Sequence, residues 1–270
     1  MKLWLKILCW FLFSTLVFLV IRAAEKEESD TEIAYPEVFI DVKGENAFLN
    51  ENELKNRLKR KGLIYPNQPK DSLNIHKIES FIQNMSEVLE VKVFVNIGNS
   101  WKIVIRVRKP IARIFNAYGE SYYLDELGYM IRNSYLYTAR VVVVSGEIEE
   151  HFSKRSVSEI INNKSLKSKS ELDDIYRISS YVCKDPFFNS QIGQIYLEKN
   201  GDFLLVPRVG DQKIIFGTAH NRLEVSAKFR KLADFYAQGI PYEGWSTYNC
   251  INLKYKNQVV CSKKENNIEK

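Results

Sequence analysis

The longest uninterrupted run of apolar positions begins almost at the first residue and covers residues 7–21. At about 1.5 Å per residue this run gives about 22 Å of helix, and residues 3–6, with Lys6 snorkelling, bring it close to the ~30 Å of a hydrocarbon core. The pattern therefore predicts a single transmembrane helix over residues 7–21, preceded by a cytoplasmic tail of residues 1–6.

A cleaved signal peptide is the alternative interpretation, because it also combines a basic start with a short apolar run. The sequence at the end of the run, RAAE over residues 22–25, argues against cleavage. A cut after Ala24 would place Arg22 where a small residue is required, and a cut after Ala23 would place Ile21 there. We therefore expect an uncleaved anchor.

Residues 22–36 carry many charges and few apolar side chains, a composition that predicts a flexible stalk. Lys2 and Lys6 precede the anchor, whereas the stalk that follows it is acidic. Because basic residues favour the cytoplasmic side, we expect a cytoplasmic amino terminus and most of the chain on the far side of the membrane.

Residues 37–110 alternate between strand and helix patterns and predict a small first domain. A short alternating strand precedes a helix that Asn50 caps and a second helix that begins near Asn74. From residue 88 the period changes to two, and a turn at 98–100 separates strands at 91–97 and 103–107. This order predicts two helices on one face of a small mixed sheet.

Residues 111–261 predict a larger second domain, a mixed β-sheet with flanking helices, so that the fold class is α+β. Ile251 and Leu253 alternate with polar neighbours and indicate a last strand over residues 250–261 with one buried face. For residues 147–170 the sequence is compatible with either a helix or a loop. Residues 262–270 predict a flexible tail. Residues 122–130 predict a strand, an acidic turn and a second strand, and other strands are expected at 141–144, 194–197, 203–207 and 213–216, with a hairpin turn at Gly201. An amphipathic helix is expected from residue 172 to near Pro186. Another is expected over 222–238, with an apolar stripe of Val225, Phe229, Leu232, Phe235 and Tyr236.

The chain has 270 residues and a net charge of +6, but its basic residues are dispersed among acidic ones. This distribution does not favour nucleic-acid binding. Of the four cysteines, Cys9 lies in the anchor, and Cys183, Cys250 and Cys261 follow it. Free thiols are the favoured interpretation because none of the spacings is C-x-x-C, although a disulfide between Cys250 and Cys261 stays open.

The sequence contains no recognisable catalytic, cofactor or metal motif. The histidines have no metal-ligand spacing, and phosphate-binding, dinucleotide and nucleophile-elbow motifs are missing. The adjacent carboxylates of Asp125 and Glu126 fit a solvated turn, and those of Asp173 and Asp174 fit a helix surface. We therefore expect no enzyme.

Several short motifs follow one another along most of the chain. The anchor leads into the strand, helix, helix, strand, strand pattern, and five motifs follow it: RKPIA at 108–112, YYLDELGYM at 122–130, PRVG at 207–210, GW at 244–245 and INLKY at 251–255. This order resembles the FtsQ/DivIB family of bacterial cell-division proteins, particularly those of Bacteroidetes, in which the first domain is a POTRA domain. The very short tail before the anchor and the 147–170 segment depart from the broader family.

The resemblance implies a divisome scaffold in the cell inner membrane, with most of the chain in the periplasm, located at the division septum. In this family the C-terminal strand and a nearby helix bind FtsB/DivIC, which pairs with FtsL. The POTRA domain contacts other divisome members such as FtsK, and contact with the septal peptidoglycan synthase complex is a further expectation. The resemblance implies no cofactor.

The expected partner-binding residues lie on the last strand and on the long helix before it. By position Lys254 matches a basic residue, and Tyr255 a tyrosine, that the family uses at its interface. If the last strand is a sheet edge, its free backbone groups would accept a partner strand. Tyr255 shares parity with Ile251 and Leu253, so core and interface roles both stay open for it. The expected set is Lys254, Tyr255, Lys256, Asn257, Gln258, Val259 and Val260 from the strand, with Lys228 and Lys231 from the helix.

Two other function classes stay open. A POTRA-type secretion or outer-membrane assembly component would accept unfolded strands on the first domain, around residues 91–107. An enzyme that modifies an envelope polymer would need convergent titratable groups, for which Asp125, Glu126, Asp211 and His220 are the candidates.

Overall fold

The computed structural model describes residues 2–29, 32–42, 48–96, 98–153, 156–162 and 170–264. Several predicted features fall partly outside the described residues: the cytoplasmic tail at residue 1, the stalk at 30–31, the first domain at 43–47 and 97, the 147–170 segment at 154–155 and 163–169, and the C-terminal tail beyond residue 264. The chain divides into two compact units. Unit 1 comprises Met1–Val42 and Leu49–Val107, and unit 2 comprises Lys43–Phe48 and Arg108–Lys270.

Unit 1 contains a small mixed sheet with two helices that follow the pattern expected from the sequence. Its elements are α1 (Lys2–Ser29), β1 (Glu37–Asp41), α2 (Glu51–Arg60), a 3-10 helix (Lys70–Ser72), α3 (Ile75–Gln83), β2 (Val88–Val95) and β3 (Trp101–Val107). The strand order is β1-β3-β2, with β1 parallel and β2 antiparallel to the central β3.

Local signals determine where α2 and α3 begin. The side chain of Asn50 accepts a hydrogen bond from the Glu53 amide at 2.8 Å, and that of Asn74 accepts one from the Lys77 amide at 2.9 Å. Each bond satisfies an amide that would otherwise be unpaired in the first helical turn. The apolar faces of both helices then pack on the sheet in one core that includes Leu54, Leu58, Ile78, Ile82, Trp101, Ile103 and Ile105.

In the segment predicted to be a flexible stalk, residues 22–36, the structure describes residues 22–29 and 32–36. α1 continues to Ser29, as the helix-forming Ala, Glu and Lys residues of this stretch favour. Ile33 is buried in the core of unit 1, and its amide donates to the Gln68 carbonyl at 2.9 Å. The described part of this segment therefore includes the end of α1 and a contact of Ile33 within unit 1.

The transmembrane helix predicted over residues 7–21 forms part of α1. The large apolar side chains of this stretch are exposed. In the part of the chain that the structure describes, no helix has the length and apolarity needed to cross a bilayer.

Unit 2 is built on a large mixed sheet with helices, which confirms the α+β class. Its strands are β4 (Pro110–Phe115), β5 (Ser121–Asp125), β6 (Met130–Arg132), β7 (Val142–Gly146), β8 (Ile192–Leu197), β9 (Phe203–Pro207), β10 (Lys213–Gly217), β11 (Tyr248–Asn252) and β12 (Val260–Lys263). Its helices in the described ranges are α4 (Val157–Asn162), α5 (Leu172–Lys184), α6 (Pro186–Gln191), α7 (Arg222–Gln238) and α8 (Ile240–Glu243). The nine strands have the order β12-β11-β10-β9-β8-β7-β4-β5-β6.

The core of unit 2 lies between the sheet and helices α5, α6 and α7. On α7 the apolar stripe is buried as predicted, and the Tyr181 ring of α5 stacks on Phe229 with centroids 4.4 Å apart. Asn221 caps α7 by accepting from the Glu224 amide at 2.9 Å. The sheet contributes, among others, Val144, Ile195, Phe203, Leu205, Ile214, Phe216 and Ile251 to the same core.

Gly146 ends β7, which lies between β4 and β8 and is parallel to both. Its φ is +113°, and a Cβ at this position would lie 2.1 Å from the Leu197 carbonyl oxygen. Only glycine avoids both the left-handed backbone strain and this clash.

Acidic residues expected at the surface are buried. Asp125 is 1% exposed and accepts from Arg108 at 2.8 Å, while Asp173 and Asp174 are 3% and 4% exposed and both pair with Arg177. Burial raises the pKa of Asp125 and of Asp174. The predictions of a solvated turn and a helix surface are therefore wrong, because arginine partners permit burial of these carboxylates.

The single last strand predicted over residues 250–261 is two strands in the structure. β11 and β12 form an antiparallel hairpin, in which Ile251 lies opposite Cys261 and Asn252 opposite Val260. β11 also pairs in parallel with β10, so it has neighbours on both sides, and β12 is the sheet edge. The one-strand prediction is wrong because the polar residues 256–258 reverse the chain in a turn.

Candidate partner-binding site

The outer side of β12 is an edge of the large sheet. On the inner side of the hairpin, the Lys264 amide donates to the Thr247 carbonyl at 2.9 Å. Amides alternate in direction along a strand, so those of Cys261 and Lys263 point outward. No hydrogen bond from elsewhere in the described residues reaches this outer side. The edge is thus geometrically able to accept another strand.

The loop between β11 and β12, residues 253–259, is held by α7. The ammonium group of Lys231 donates to the Leu253 carbonyl at 2.9 Å and also to the Tyr255 carbonyl. Burial lowers the pKa of Lys231, and the neighbouring charge of Lys228 acts in the same direction. Lys231 therefore positions the loop beside the edge strand.

The side chain of Lys254 lies against the turn between β8 and β9. Its ammonium group contacts the Asp202 carboxylate at 2.5 Å, and this hydrogen bond raises the pKa of Lys254. The aliphatic stem passes over Gly217, where a Cβ would lie 2.8 Å from Lys254 Cγ. Lys254 therefore already has an acidic partner inside unit 2.

Two grooves flank the contact between α7 and this loop. The first, of about 480 Å³, lies between α7 and residues 253–256, and the second, of about 370 Å³, lies between the end of α7 and residues 257–259. Leu223 and Tyr255 line the first groove and are 83% and 50% exposed. The exposure of Tyr255 follows from the end of β11 at Asn252, because the strand alternation does not reach it.

Lys228 does not present its charge to a partner. The residue is only 6% exposed, and its ammonium group donates to the Thr218 carbonyl and to Glu224, each at 2.6 Å. The same group lies 5.1 Å from the centroid of the Phe216 ring. The prediction of a surface role for Lys228 is therefore wrong, since a lysine on the apolar face of α7 is buried when internal acceptors satisfy it.

The other predicted residues are distributed between the loop and β12. Lys256, Asn257 and Gln258 are exposed, Val259 is half-buried against the core, and Val260 begins β12 with an exposed side chain. Sequence reasoning missed the exposed Leu223 and the edge residues after Val260. The polar run at 256–258 was the signal for a turn and hence for a second strand.

Cys250 and Cys261 are free thiols on neighbouring strands. Cys250 lies opposite Ser262, and Cys261 lies opposite Ile251. Side chains of successive residues point to opposite faces of a sheet, so the two sulfur atoms lie on different faces. Burial also raises the pKa of both thiols, which disfavours the thiolate needed for disulfide formation.

The candidate acidic and histidine residues have separate partners. Asp125 pairs with Arg108, the exposed Asp211 with Lys264 at 3.1 Å, and the exposed His220 lies 3.5 Å from Asp174. Over the described ranges, no three His, Cys, Asp or Glu side chains are grouped so as to hold a metal ion.

Comparison with protein families matches residues 109–262 to the family described as FtsQ/DivIB, C-terminal related. The match covers more than half of the chain and includes every strand of unit 2 from β4 to β11 and most of β12. A search of curated proteins finds no significant match. The chain therefore belongs to the FtsQ/DivIB C-terminal related family.

Proposed function

We propose that this protein is a membrane-anchored divisome scaffold that recruits an FtsB/DivIC-like protein, and with it an FtsL-like protein, to the division septum. Membership of the FtsQ/DivIB-related family indicates a role in cell division. The proposed recruitment is by strand addition to β12 and requires no catalysis. FtsK and the septal peptidoglycan synthase complex are further proposed partners.

The open outer side of β12 is the observation that carries this proposal. β11 is paired on both sides, whereas β12 has a neighbour only on its inner side. A partner strand placed there would bond to the outward amides and carbonyls of Cys261 and Lys263. This assignment moves the proposed contact from residues 254–260 to Val260–Lys263.

The groove beside α7 supports a partner that carries both apolar and acidic side chains. Leu223 and Tyr255 offer exposed apolar surface there, and Lys256 is an exposed cation close by. Lys254 would have to exchange or share its contact with Asp202 to bind an acidic partner residue. Exposed ion pairs contribute little, so the backbone ladder would supply most of the affinity.

We also propose that residues 7–21 attach the chain to the inner membrane with a cytoplasmic amino terminus. The uncharged sequence of this run and the exposure of its apolar side chains on α1 support this attachment. Unit 2 would then lie in the periplasm, where the partners named above are expected.

Proline substitution in β12 tests strand addition. Lys263→Pro removes one outward amide, and proline is tolerated at an edge strand where the lost amide faces solvent. Lys263→Ala is the matched control, because it removes the same ion pair with Glu243 but keeps the amide. The full-length chain would be co-purified with FtsB/DivIC-like and FtsL-like proteins, and cell length would be measured.

We expect Lys263→Pro to bind the partner at least about tenfold more weakly than Lys263→Ala and to give filamentous cells, since it removes backbone bonds from the ladder. Equal binding by the two variants would contradict strand addition at β12. Circular dichroism and thermal unfolding of both variants would verify that unit 2 remains folded.

A further inference from the structure

We propose that α3 blocks the β2 edge of unit 1 against pairing with a second copy of this chain, by means of the side chains of Glu79 and Gln83. β2 is the terminal strand of the three-stranded sheet and runs over eight residues. An edge of this length is a ready template for another strand. Its backbone groups are, however, partly occupied by side chains of the same unit.

Two hydrogen bonds occupy the outer side of β2. The Val93 amide donates to the Glu79 carboxylate at 2.8 Å, and the side-chain amide of Gln83 donates to the Leu89 carbonyl at 3.2 Å. The Asn96 amide donates inward to the Ser100 carbonyl, so by alternation the amides of Val93 and Val95 point outward. Glu79 and Gln83 thus take positions that a neighbouring strand would need.

The spacing of the two side chains explains how one helix reaches both groups. Glu79 and Gln83 are four residues apart on α3 and therefore project from the same side of the helix. A carboxylate acceptor meets an N–H group, and a side-chain amide donor meets a C=O group. Glu79 therefore supplies an acceptor, and Gln83 a donor, where a neighbouring strand would supply a C=O group and an N–H group.

A register shift strengthens the block. The pairing of β2 with β3 shifts between Val88 and Glu90, which places Leu89 in a bulge. Bulges and side chains at an edge are the usual means by which proteins prevent edge-to-edge pairing. Strand β3 is unavailable as well, because it lies between β1 and β2.

The occupant that the block excludes is a second copy of β2. An antiparallel pair of identical edge strands is self-complementary, because each strand offers the same outward amides and carbonyls to the other. Phe94 and Val95 are exposed near this edge and would gain contacts in such a pair. Removal of Glu79 and Gln83 would therefore convert the edge into a self-association surface.

The test compares self-association of full-length variants in detergent by sedimentation velocity over a range of concentrations. Glu79→Leu with Gln83→Leu removes both hydrogen bonds, whereas Glu79→Gln keeps an acceptor oxygen for the Val93 amide. We expect the double variant to self-associate at least about tenfold more tightly than the wild-type chain, and Glu79→Gln to behave as wild type. A double variant with unchanged association would overturn the proposal.

Adding Val95→Pro to the double variant identifies the surface. This change removes an outward amide from β2 while leaving the bonds to β3 in place, so we expect it to restore the wild-type association. Persistent association would show that another surface is responsible and would overturn the assignment to β2.

Amide hydrogen exchange gives a second measurement that does not depend on association. We expect the Val93 amide to be protected in the wild-type chain and to exchange at least about tenfold faster in Glu79→Ala, with the amides of β3 unchanged. Equal exchange of Val93 in both proteins would contradict the role of Glu79. Faster exchange throughout unit 1 would indicate a loss of stability instead of an opened edge and would also count against the proposal.

Discussion

Lys231 on α7 donates a hydrogen bond to the Leu253 carbonyl at 2.9 Å, and this bond joins the longest described helix of unit 2 to the loop beside the edge strand. Lys231→Met keeps the aliphatic stem but removes the donor from Leu253 and Tyr255. We expect the free energy of unfolding to fall by about 1–2 kcal/mol, because two carbonyls lose a charged partner. Urea denaturation measures this change, and hydrogen exchange should show faster opening of residues 254–259.

Lys256→Met is the matched control for that substitution. Lys256 lies on the same loop, is exposed, and has no hydrogen bond within the described residues. We expect its effect on stability to stay within about 0.5 kcal/mol, as for an ordinary surface position. A similar loss in both variants would mean that charge, and not the contact with α7, stabilises the loop.

The pair formed by Arg108 and Asp125 gives a prediction that depends on pH. Arg108→Met leaves a buried carboxylate without its cation, so we expect a loss of about 3–5 kcal/mol near neutral pH. Burial raises the pKa of Asp125 above its ordinary value of 3.8, and removal of Arg108 raises it further. A raised pKa in the folded state means that stability falls as pH rises from 3.8 through the folded value.

Urea denaturation of Arg108→Met and wild type between acidic and neutral pH measures this dependence. We expect the difference in stability between them to increase as pH rises. The double variant Arg108→Met with Asp125→Asn is the control, because it removes both charges and should lose less than the single variant near neutral pH. A difference that is constant with pH would show that Arg108 stabilises the fold by packing alone.

We expect even the smallest substitution at Gly146, to alanine, to reduce the stability of the fold strongly. Gly146→Ala places a Cβ 2.1 Å from the Leu197 carbonyl oxygen at a φ of +113°. We expect a loss of about 3 kcal/mol or more, from backbone strain and overpacking together. Thermal or urea unfolding measures it.

The variant Gly201→Ala distinguishes the contribution of backbone strain from that of overpacking. Gly201 also has a positive φ, +81°, but a Cβ there meets nothing within 4 Å. We expect it to cost about 1 kcal/mol, from strain alone. Comparable losses at both positions would show that the close approach of β7 and β8 is not what requires glycine.

From the arrangement of Cys250 and Cys261 we expect that mild oxidation does not join the two thiols in a disulfide. Their side chains lie on opposite faces of the hairpin, and burial raises the pKa of each. After mild oxidation of the purified chain, peptide mass spectrometry should find both residues reduced. A peptide that links Cys250 to Cys261 would show that the hairpin changes its register.

The sequence predicted those features that depend on contacts a few residues apart. Asn50 was predicted to cap a helix and Asn74 to stand at the start of the next one, and each accepts a hydrogen bond from the amide three residues later. The apolar stripe of α7 and the turn at Gly201 are local patterns of the same kind. The order of motifs in unit 2 likewise indicated the family that the comparison identified.

Only the tertiary structure decided which strand is the edge and which charged groups are buried. The place of β11 between β10 and β12 depends on a parallel pairing with residues 213–215, far away in the chain. Lys228, Asp125 and Asp174 are buried because distant carbonyls, arginines and rings surround them. Local spacing carries no information about such partners, since sheet order and burial arise from contacts between segments that the sequence pattern does not connect.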